Sequence, residues 1–191
     1  KHAVPLFVLG GGANLLVRDK GIRGAVVFTG RLHRMERKEN LLTVASGVPT
    51  AAAARKALEY GLSGMEFASG IPGSIGGAAY MNAGAYGGEM AKIIVSATTC
   101  DAKGDIIVHS IKDMGYGYRH SPFMQNGEVI LDITLSLKPG NQKDIEALMK
   151  DLNQRRATKQ PLEKRSAGST FKRPDGHFVG QMLEELGLKG F

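Results

Sequence analysis

Short apolar runs, each ended by glycine or another turn residue, dominate the first 140 positions of the chain. Most are of strand length, and several alternate apolar with polar residues, which is the pattern of β-strands. The predicted strands are VPLFVLG, LLVRD and AVVFTG near the start, then LLTVAS, and finally EVILDITLSL. Between the last two, IIVSATTC and DIIVHS flank a turn at Asp101–Gly104 and predict a β-hairpin.

Helical periodicity appears in three segments. The alanine-rich run TAAAARKALEYG follows Pro49, which suits a first helical turn, and it ends at Gly61. After Pro139 and Gly140, a second helix is predicted from an apolar face and from Asn141 as its cap. The residues that form this face are Ile145, Leu148, Met149 and Leu152. A third helix, FVGQMLEELG, is closed by Gly187.

The change of period near Gly140 predicts a domain boundary there. We therefore expect an α+β chain with a first domain over residues 1–139 and the start of a second over residues 140–191. No apolar run approaches the roughly 20 residues that cross a bilayer, and no secretion signal is recognisable at Lys1. These features lead us to expect a cytoplasmic protein without a membrane partner.

The formal net charge of +7 would suit nucleic acid or any other anionic ligand. Basic residues concentrate between Arg155 and Arg173, but that stretch holds a single aromatic residue, Phe171. It therefore lacks the stacking platform expected for single-stranded nucleic acid. Cys100 has no second thiol, and the five histidines lack metal-ligand spacing, so neither a disulfide nor a metal site is predicted.

Two glycine-rich loops are the main candidate binding elements. The first, GGGANLLV over residues 10–17, has Leu15 where a dinucleotide-binding GxGxxG would carry its third glycine. It can still hold a pyrophosphate through backbone N–H groups, with Asn14 closing the turn. A plain glycine hairpin is the alternative interpretation.

The second loop, SGIPGSIGGAAYMNAGAYGG over residues 69–88, is long and has no obvious regular structure. Loops of this length are usually functional or disordered, and its apolar residues argue against disorder. We expect it to wrap a large ligand, with Ser74 and Asn82 offering side-chain hydrogen bonds. A glycine-rich loop packed on itself is the alternative.

Four sequence blocks in order carry a resemblance to a known family. They are LGGGANLLVRDKGIRG, SGIPGSIGGAAYMNAGAYG, GYGYRHSPF, and QPLEKRSAGSTFKRPDG continuing into LEELGLKG. Together they resemble the UDP-N-acetylenolpyruvoylglucosamine reductases, flavoproteins with a vanillyl-alcohol-oxidase (PCMH) type FAD-binding domain followed by an α+β substrate-binding domain. The family pattern also leads us to expect further residues at both ends, including a catalytic glutamate beyond Phe191.

The resemblance implies FAD as cofactor and NADPH as hydride-donating co-substrate. Hydride from the reduced flavin would then convert UDP-N-acetylglucosamine enolpyruvate into UDP-N-acetylmuramate for peptidoglycan synthesis, in a monomeric enzyme. The implied catalytic residues are Arg119, which would bind and stabilise the enolpyruvyl carboxylate, and Ser169, which would donate a proton to the adjacent carbon. Without the resemblance, Arg119 could be a surface arginine and Ser169 a turn or cap serine.

The resemblance also implies the wider binding residues. The substrate-binding set is Tyr118, Arg119, Gln160, Ser169 and Lys172. The cofactor-binding set is Gly10, Gly11, Gly12, Ala13, Asn14, Leu15, Gly70, Ile71, Pro72, Gly73, Ser74, Gly76, Gly77, Asn82 and Gly84. Two rival functions stay open, namely another FAD-dependent oxidase or dehydrogenase of the same fold and a non-catalytic module that binds anions or nucleic acid.

Overall fold

The computed structural model describes residues 4–160 and 168–190. Its strands and helices, in chain order, are β1 (Leu6–Leu9), β2 (Ala25–Phe28), β3 (Met35–Lys38), β4 (Leu41–Ala45), α1 (Thr50–Glu59), β5 (Leu62–Ser63), α2 (Ile75–Tyr80), β6 (Gly84–Ala85), β7 (Gly88–Glu89), β8 (Ile94–Cys100), β9 (Ile106–Ser110), α3 (Phe123–Asn126), β10 (Val129–Ser136), β11 (Lys138–Pro139), α4 (Gln142–Lys159) and α5 (Val179–Glu185). Single 3₁₀ turns lie at Thr29–Arg31, Glu66–Ala68, Met90–Lys92 and Ile111–Asp113. The α+β class is confirmed.

An antiparallel five-stranded sheet, in the order β3-β4-β10-β8-β9, forms the centre of the molecule. Strand β10 lies in the middle, and its Ile133 faces Val44 on one side and Ala97 on the other. These three side chains are fully buried because the alternation along each strand turns its apolar residues to one face. The predicted β8–β9 hairpin and the predicted β4 and β10 strands are all confirmed.

Helix α1 packs closely because its buried residues are alanines. Ala53, Ala54 and Ala57 are all at most 1% exposed, and Gly61 follows the helix with φ +65°, as its predicted role of stop requires. Helix α4 begins after Asn141, whose side chain accepts a hydrogen bond from the Lys143 N–H. These two helices contact each other, and both contact the short strand β5.

The predicted apolar face of α4 is only partly correct. Ile145 and Leu152 are buried and Met149 is half-buried against the core. Leu148, however, is exposed, because the buried stripe of this helix is narrower than the periodicity indicated. The domain boundary near Gly140 stays a prediction. Helix α5 ends before Gly187, which has φ +69° and was predicted to close it.

Strands β1 and β2 form a separate parallel pair, with Leu6 opposite Ala25 and Leu9 opposite Phe28. The strand predicted at LLVRD, residues 15–19, is wrong. This run forms no ladder, and Leu16 is 84% exposed, so the run has no buried face to hold it as a strand.

The second glycine-rich loop contains regular structure that its composition does not indicate. Helix α2 occupies its centre although two of its six residues are glycine. It forms because Ser74 caps its first turn and because Ile75, Ala78 and Ala79 are buried against the sheet. Among the described residues, no helix is both long enough and apolar enough to cross a membrane.

Candidate functional site

The two glycine-rich loops meet directly. The Gly11 N–H donates a hydrogen bond to Ser74 Oγ at 3.3 Å. A Cβ on Gly11 would lie 2.5 Å from the Gly73 Cα, and a Cβ on Gly10 would lie 2.5 Å from Ser74 Oγ. Real side chains do not come that close, so the contact between the loops requires glycine at both positions.

Ser74 joins this contact to helix α2. Its Oγ also accepts the Gly77 N–H at 3.4 Å, as the cap of the helix. Gly76 lies against the turn that follows β4, so tightly that a Cβ there would be 2.6 Å from the Ser46 Cβ. Gly73, with φ +101°, adopts a backbone conformation that a residue with a side chain rarely takes. The glycines of the second loop therefore fix its path.

A cavity of about 470 Å³ opens beside this junction, and we call it the glycine-loop cavity. Gly10, Gly76, Gly77, Ser46 and Glu128 line it, and most of its other walls are apolar residues of β1, α3 and β10. The Oγ of Ser46 is buried and has no hydrogen-bond partner among the described residues. A buried hydroxyl of this kind is uncommon unless a ligand or water completes its bonding.

A second cavity, of about 520 Å³, lies beside Tyr118 and Ser169, and we call it the Tyr118 cavity. Gly168 to Phe171, Arg173, Phe178 and the start of α5 form the rest of its wall. The Arg173 N–H donates to the Tyr118 Oη at 3.3 Å, and the Arg173 guanidinium lies 5.3 Å from the Phe178 ring centre. Two of the predicted substrate residues, Tyr118 and Ser169, are thus in one cavity.

Tyr118 and Arg119 occupy a tight turn. Gly117 and His120 exchange two backbone hydrogen bonds, each of 3.1 Å, around them. Arg119 has φ +49°, which costs a non-glycine residue about 1–3 kcal/mol. Its guanidinium donates to the Asn14 Oδ1 at 2.5 Å, so the predicted carboxylate-binding arginine contacts the first glycine-rich loop.

Asn82 holds this turn in place. Its side chain is buried, donates to the Gly117 carbonyl at 3.0 Å and accepts the Ala91 N–H at 2.9 Å. The Ser121 hydroxyl adds a 2.7 Å hydrogen bond to the Tyr80 carbonyl. The second glycine-rich loop therefore contacts both the first loop and the turn that carries Tyr118 and Arg119.

The remaining predicted residues are more scattered. Gly70 faces helix α4, where a Cβ would be 2.6 Å from the Asn153 Oδ1, and Gly84 lies against the backbone of Gly88. Gln160 follows the end of α4 and Lys172 is exposed, and neither lines either cavity. Leu15 is exposed in the first loop. The roles assigned to all these residues stay predictions.

Ser46 and Glu128 are among the cavity residues that were not predicted from the sequence. Ser46 ends the LLTVAS run, whose pattern indicates only a strand, but in the structure Gly76 of α2 packs directly against it and both residues line the glycine-loop cavity. Glu128 is the first residue of the predicted strand EVILDITLSL, and an acidic residue at a strand end ordinarily indicates a solvated position. Within residues 4–160 and 168–190, no group of three His, Cys, Asp or Glu side chains is placed to hold a metal ion.

Comparisons with known proteins identify first the class and then the family. The model of an FAD-binding domain matches residues 1–110, which defines this part of the chain as an FAD-binding domain. The model of the C-terminal domain of UDP-N-acetylenolpyruvoylglucosamine reductase matches residues 160–191. A relative from Clostridium kluyveri, named UDP-N-acetylenolpyruvoylglucosamine reductase, is 47% identical over 190 residues, which is 100% of this chain and 62% of that protein.

Solved structures agree with this result. The crystal structure of UDP-N-acetylenolpyruvylglucosamine reductase from Thermus caldophilus matches with a TM-score of 0.86 and 35% identity, over 99% of this chain and 69% of that one. The chain therefore belongs to the UDP-N-acetylenolpyruvoylglucosamine reductase family, as the resemblance predicted. It spans about three fifths of the length of its curated relatives.

A more distant structure supports the fold alone. 6-Hydroxy-D-nicotine oxidase from Arthrobacter nicotinovorans has a TM-score of 0.52 at 18% identity, over 71% of this chain and 31% of that one. The predicted FAD-binding domain of the PCMH type is thereby confirmed.

Proposed function

We propose that the protein uses NADPH and FAD to reduce UDP-N-acetylglucosamine enolpyruvate to UDP-N-acetylmuramate, a step of peptidoglycan precursor synthesis. The observation that carries the proposal is the contact of the two glycine-rich loops at Gly11 and Ser74, with Arg119 bonded to the first of them. The identities of the substrate and the co-substrate are inferred from membership of the family. The chain spans about three fifths of the relatives' length, so the activity of the whole relatives is a proposal for this protein.

The residues at the junction fit FAD. Glycine backbone groups free of side chains suit a pyrophosphate, and the Ser46 hydroxyl needs a partner that the described residues do not supply. The proposed cofactor residues are those of the two loops, Gly10 to Leu15 and Gly70 to Gly77 with Asn82 and Gly84. When bound, FAD supplies the chemistry of hydride transfer, whereas the protein supplies binding and orientation.

Arg119 binds the enolpyruvyl carboxylate in this proposal. Its guanidinium presents planar paired donors that match a carboxylate, and it keeps its charge at any working pH. The hydrogen bond to Asn14 and the turn around it restrict its orientation before substrate arrives. A fixed cation next to the carboxylate stabilises the negative charge that develops there during reduction.

Ser169 donates the proton that completes the reaction, at the carbon beside the carboxylate. Its position in the Tyr118 cavity, next to a substrate-sized space, is consistent with that role. Tyr118, Lys172 and Gln160 complete the proposed substrate contacts. Lys172 would neutralise a phosphate or the carboxylate of the nucleotide sugar.

The proposal extends to the setting of the enzyme. We infer a cytoplasmic monomer that needs neither a membrane nor a nucleic acid, because both proposed reactants are soluble small molecules. The boundary near Gly140 would separate the cofactor domain from the start of the substrate domain.

The test follows the two halves of the reaction in the purified protein. Anaerobic NADPH should bleach the flavin absorbance, and UDP-N-acetylglucosamine enolpyruvate should restore it while gaining two hydrogens by mass spectrometry. UDP-N-acetylglucosamine, which lacks the enolpyruvyl group, is the matched control and should leave the flavin reduced. Purified protein that carries no flavin and takes up none would contradict the proposal.

A further inference from the structure

Three side chains form a polar cluster at the edge of the five-stranded sheet. The Glu128 Oε2 accepts hydrogen bonds from the Thr99 hydroxyl and from the His109 Nε2–H, both at 2.6 Å. Thr99 is fully buried, and the side chains of His109 and Glu128 are 25% and 12% exposed. Two short bonds to one oxygen therefore fix the direction of the carboxylate.

The other carboxylate oxygen of Glu128, Oε1, is not occupied by these hydrogen bonds. It makes no hydrogen bond to any residue in 4–160 or 168–190, and Glu128 lines the glycine-loop cavity. The ring of Phe123, which also lines this cavity, meets the His109 ring edge-on at a centre distance of 5.8 Å. The cavity thus contains an anchored group that can only accept hydrogen bonds, in a largely apolar wall.

The course of the first loop indicates which part of FAD meets this carboxylate. Gly10 lines the glycine-loop cavity, and Asn14, four residues later, contacts the turn that carries Tyr118 and Arg119. If the pyrophosphate lies on the loop between Gly10 and Asn14, one half of FAD extends toward the glycine-loop cavity and the other half toward the turn that carries Tyr118 and Arg119. The flavin half has to reach the substrate residues, so the adenosine half enters the glycine-loop cavity.

We propose that Glu128, positioned by His109 and Thr99, accepts a hydrogen bond from the adenosine half of FAD and so selects the dinucleotide over FMN. This inference rests on the proposed FAD binding. A carboxylate repels a phosphate but accepts strongly from a ribose hydroxyl or from the exocyclic amine of adenine. FMN ends at its phosphate and offers neither donor, so it leaves the carboxylate without a partner.

Flavin titrations of apoprotein test the inference without measuring turnover. FAD and FMN are added separately, and quenching of flavin fluorescence gives each Kd. Glu128→Gln should weaken FAD binding by about tenfold to a hundredfold, as expected for a hydrogen bond to a charged group. FMN binding should stay within about twofold of the parent, because the neutral amide removes no contact to it. Glu146→Gln, which removes the same charge from the exposed face of α4, should change neither constant.

His109 is a positioning residue, and a pair of variants tests that role. His109→Gln retains an N–H donor close to the place of Nε2 and should keep most of the FAD affinity. His109→Leu loses the donor and should approach the Glu128→Gln value. Thermal unfolding of each apoprotein shows whether a loss of FAD affinity comes from a loss of fold. If FAD affinity falls equally in both variants, His109 does not position Glu128.

Two FAD analogues test the contact in the parent protein even if a variant fails to fold. Flavin hypoxanthine dinucleotide replaces the exocyclic amine with a carbonyl, and 2′-deoxyadenosine FAD lacks a ribose hydroxyl. Weaker binding of either analogue supports the inference and identifies the donor. Three results would overturn the inference: equal affinity for FAD and both analogues, unchanged FAD binding by Glu128→Gln, or equal weakening of FAD and FMN binding in that variant. The proposed reductase function would not be affected by these results, because it depends on FAD binding by the parent protein.

Discussion

The Arg119 guanidinium donates a 2.5 Å hydrogen bond to the Asn14 side chain, although 105 positions separate the two residues in the sequence. This bond connects the proposed substrate-binding turn to the proposed cofactor-binding loop. Because Arg119 also has an unfavourable positive φ, the structure must hold it there through its neighbours, and Asn82 and Gly117 supply part of that support. Strained residues of this kind cluster at functional sites.

Asn14→Ala should therefore slow the reaction of reduced protein with substrate more than the reaction with NADPH. The lost bond leaves Arg119 free to reorient, and misplacing a group that stabilises developing charge costs about tenfold to a hundredfold in rate. Stopped-flow measurement of the two half-reactions checks this. Asn40→Ala, at an exposed turn, is the control and should behave as the parent. Equal slowing of both halves would instead indicate a general defect in flavin binding.

Ser169→Ala should separate proton donation from hydride transfer. NADPH should still bleach the flavin at the parental rate, because that step takes no proton from this residue. Reoxidation by the enolpyruvyl substrate should fall by about 10²–10⁴-fold, the usual effect of losing a positioned acid. Ser136→Ala, at the exposed end of β10, controls for the loss of a hydroxyl. A reoxidation rate within about tenfold of the parental rate is a smaller loss than a missing proton donor causes, and it would exclude Ser169 as the donor.

The elements predicted well from the sequence are those with a local pattern. Helix α1 follows from its alanines with Pro49 and Gly61, and the β8–β9 hairpin follows from alternation around a turn. Helix α2 was missed because its glycines have low helix propensity, and the Ser74 cap and the burial of Ile75 decide its conformation. Tertiary contacts overrode local preference there.

The parts of the site that the sequence did not predict depend on contacts between residues that are distant in the sequence. Glu128, His109 and Thr99 are brought together by the register of β8 with β9 and by the end of α3, which no local pattern specifies. The cofactor contact of Asn82 stays a prediction, but no local pattern indicated that its amide also bonds Gly117 and Ala91. Arg119 and Ser169 entered the prediction only through the family resemblance, because neither lies in a motif that is specific by itself.

Gly11→Ala should weaken FAD binding by forcing the two glycine-rich loops apart. The added Cβ would lie 2.5 Å from the Gly73 Cα, and relieving such an overlap costs about 1–3 kcal/mol. Flavin titration of the apoprotein measures the loss. Gly115→Ala is the matched control, since a Cβ there meets nothing within 4 Å. Parental affinity in Gly11→Ala would show that the contact between the loops is not needed to bind the cofactor.

Tyr116→Phe should stabilise the protein. The Tyr116 hydroxyl is buried without a hydrogen-bond partner among the described residues, and burial raises the pKa of this phenol above its ordinary value of 10.0. Removing a hydroxyl that is unsatisfied in the folded state but hydrated in the unfolded chain should add about 1 kcal/mol to the free energy of unfolding. Tyr86→Phe, at an exposed position, should change the melting temperature little.

The advantage of Tyr116→Phe should grow in alkaline solution. Above pH 10.0 the phenol ionises in the unfolded chain, whereas the raised pKa keeps it protonated in the folded protein. The unfolded state then binds fewer protons than the folded state, so the parental free energy of unfolding falls as pH rises, and the variant lacks that loss. Thermal melts of parent and variant at neutral pH and above pH 10 measure the difference. A variant that melts below the parent at both pH values would mean that the hydroxyl has a partner that stabilises the fold.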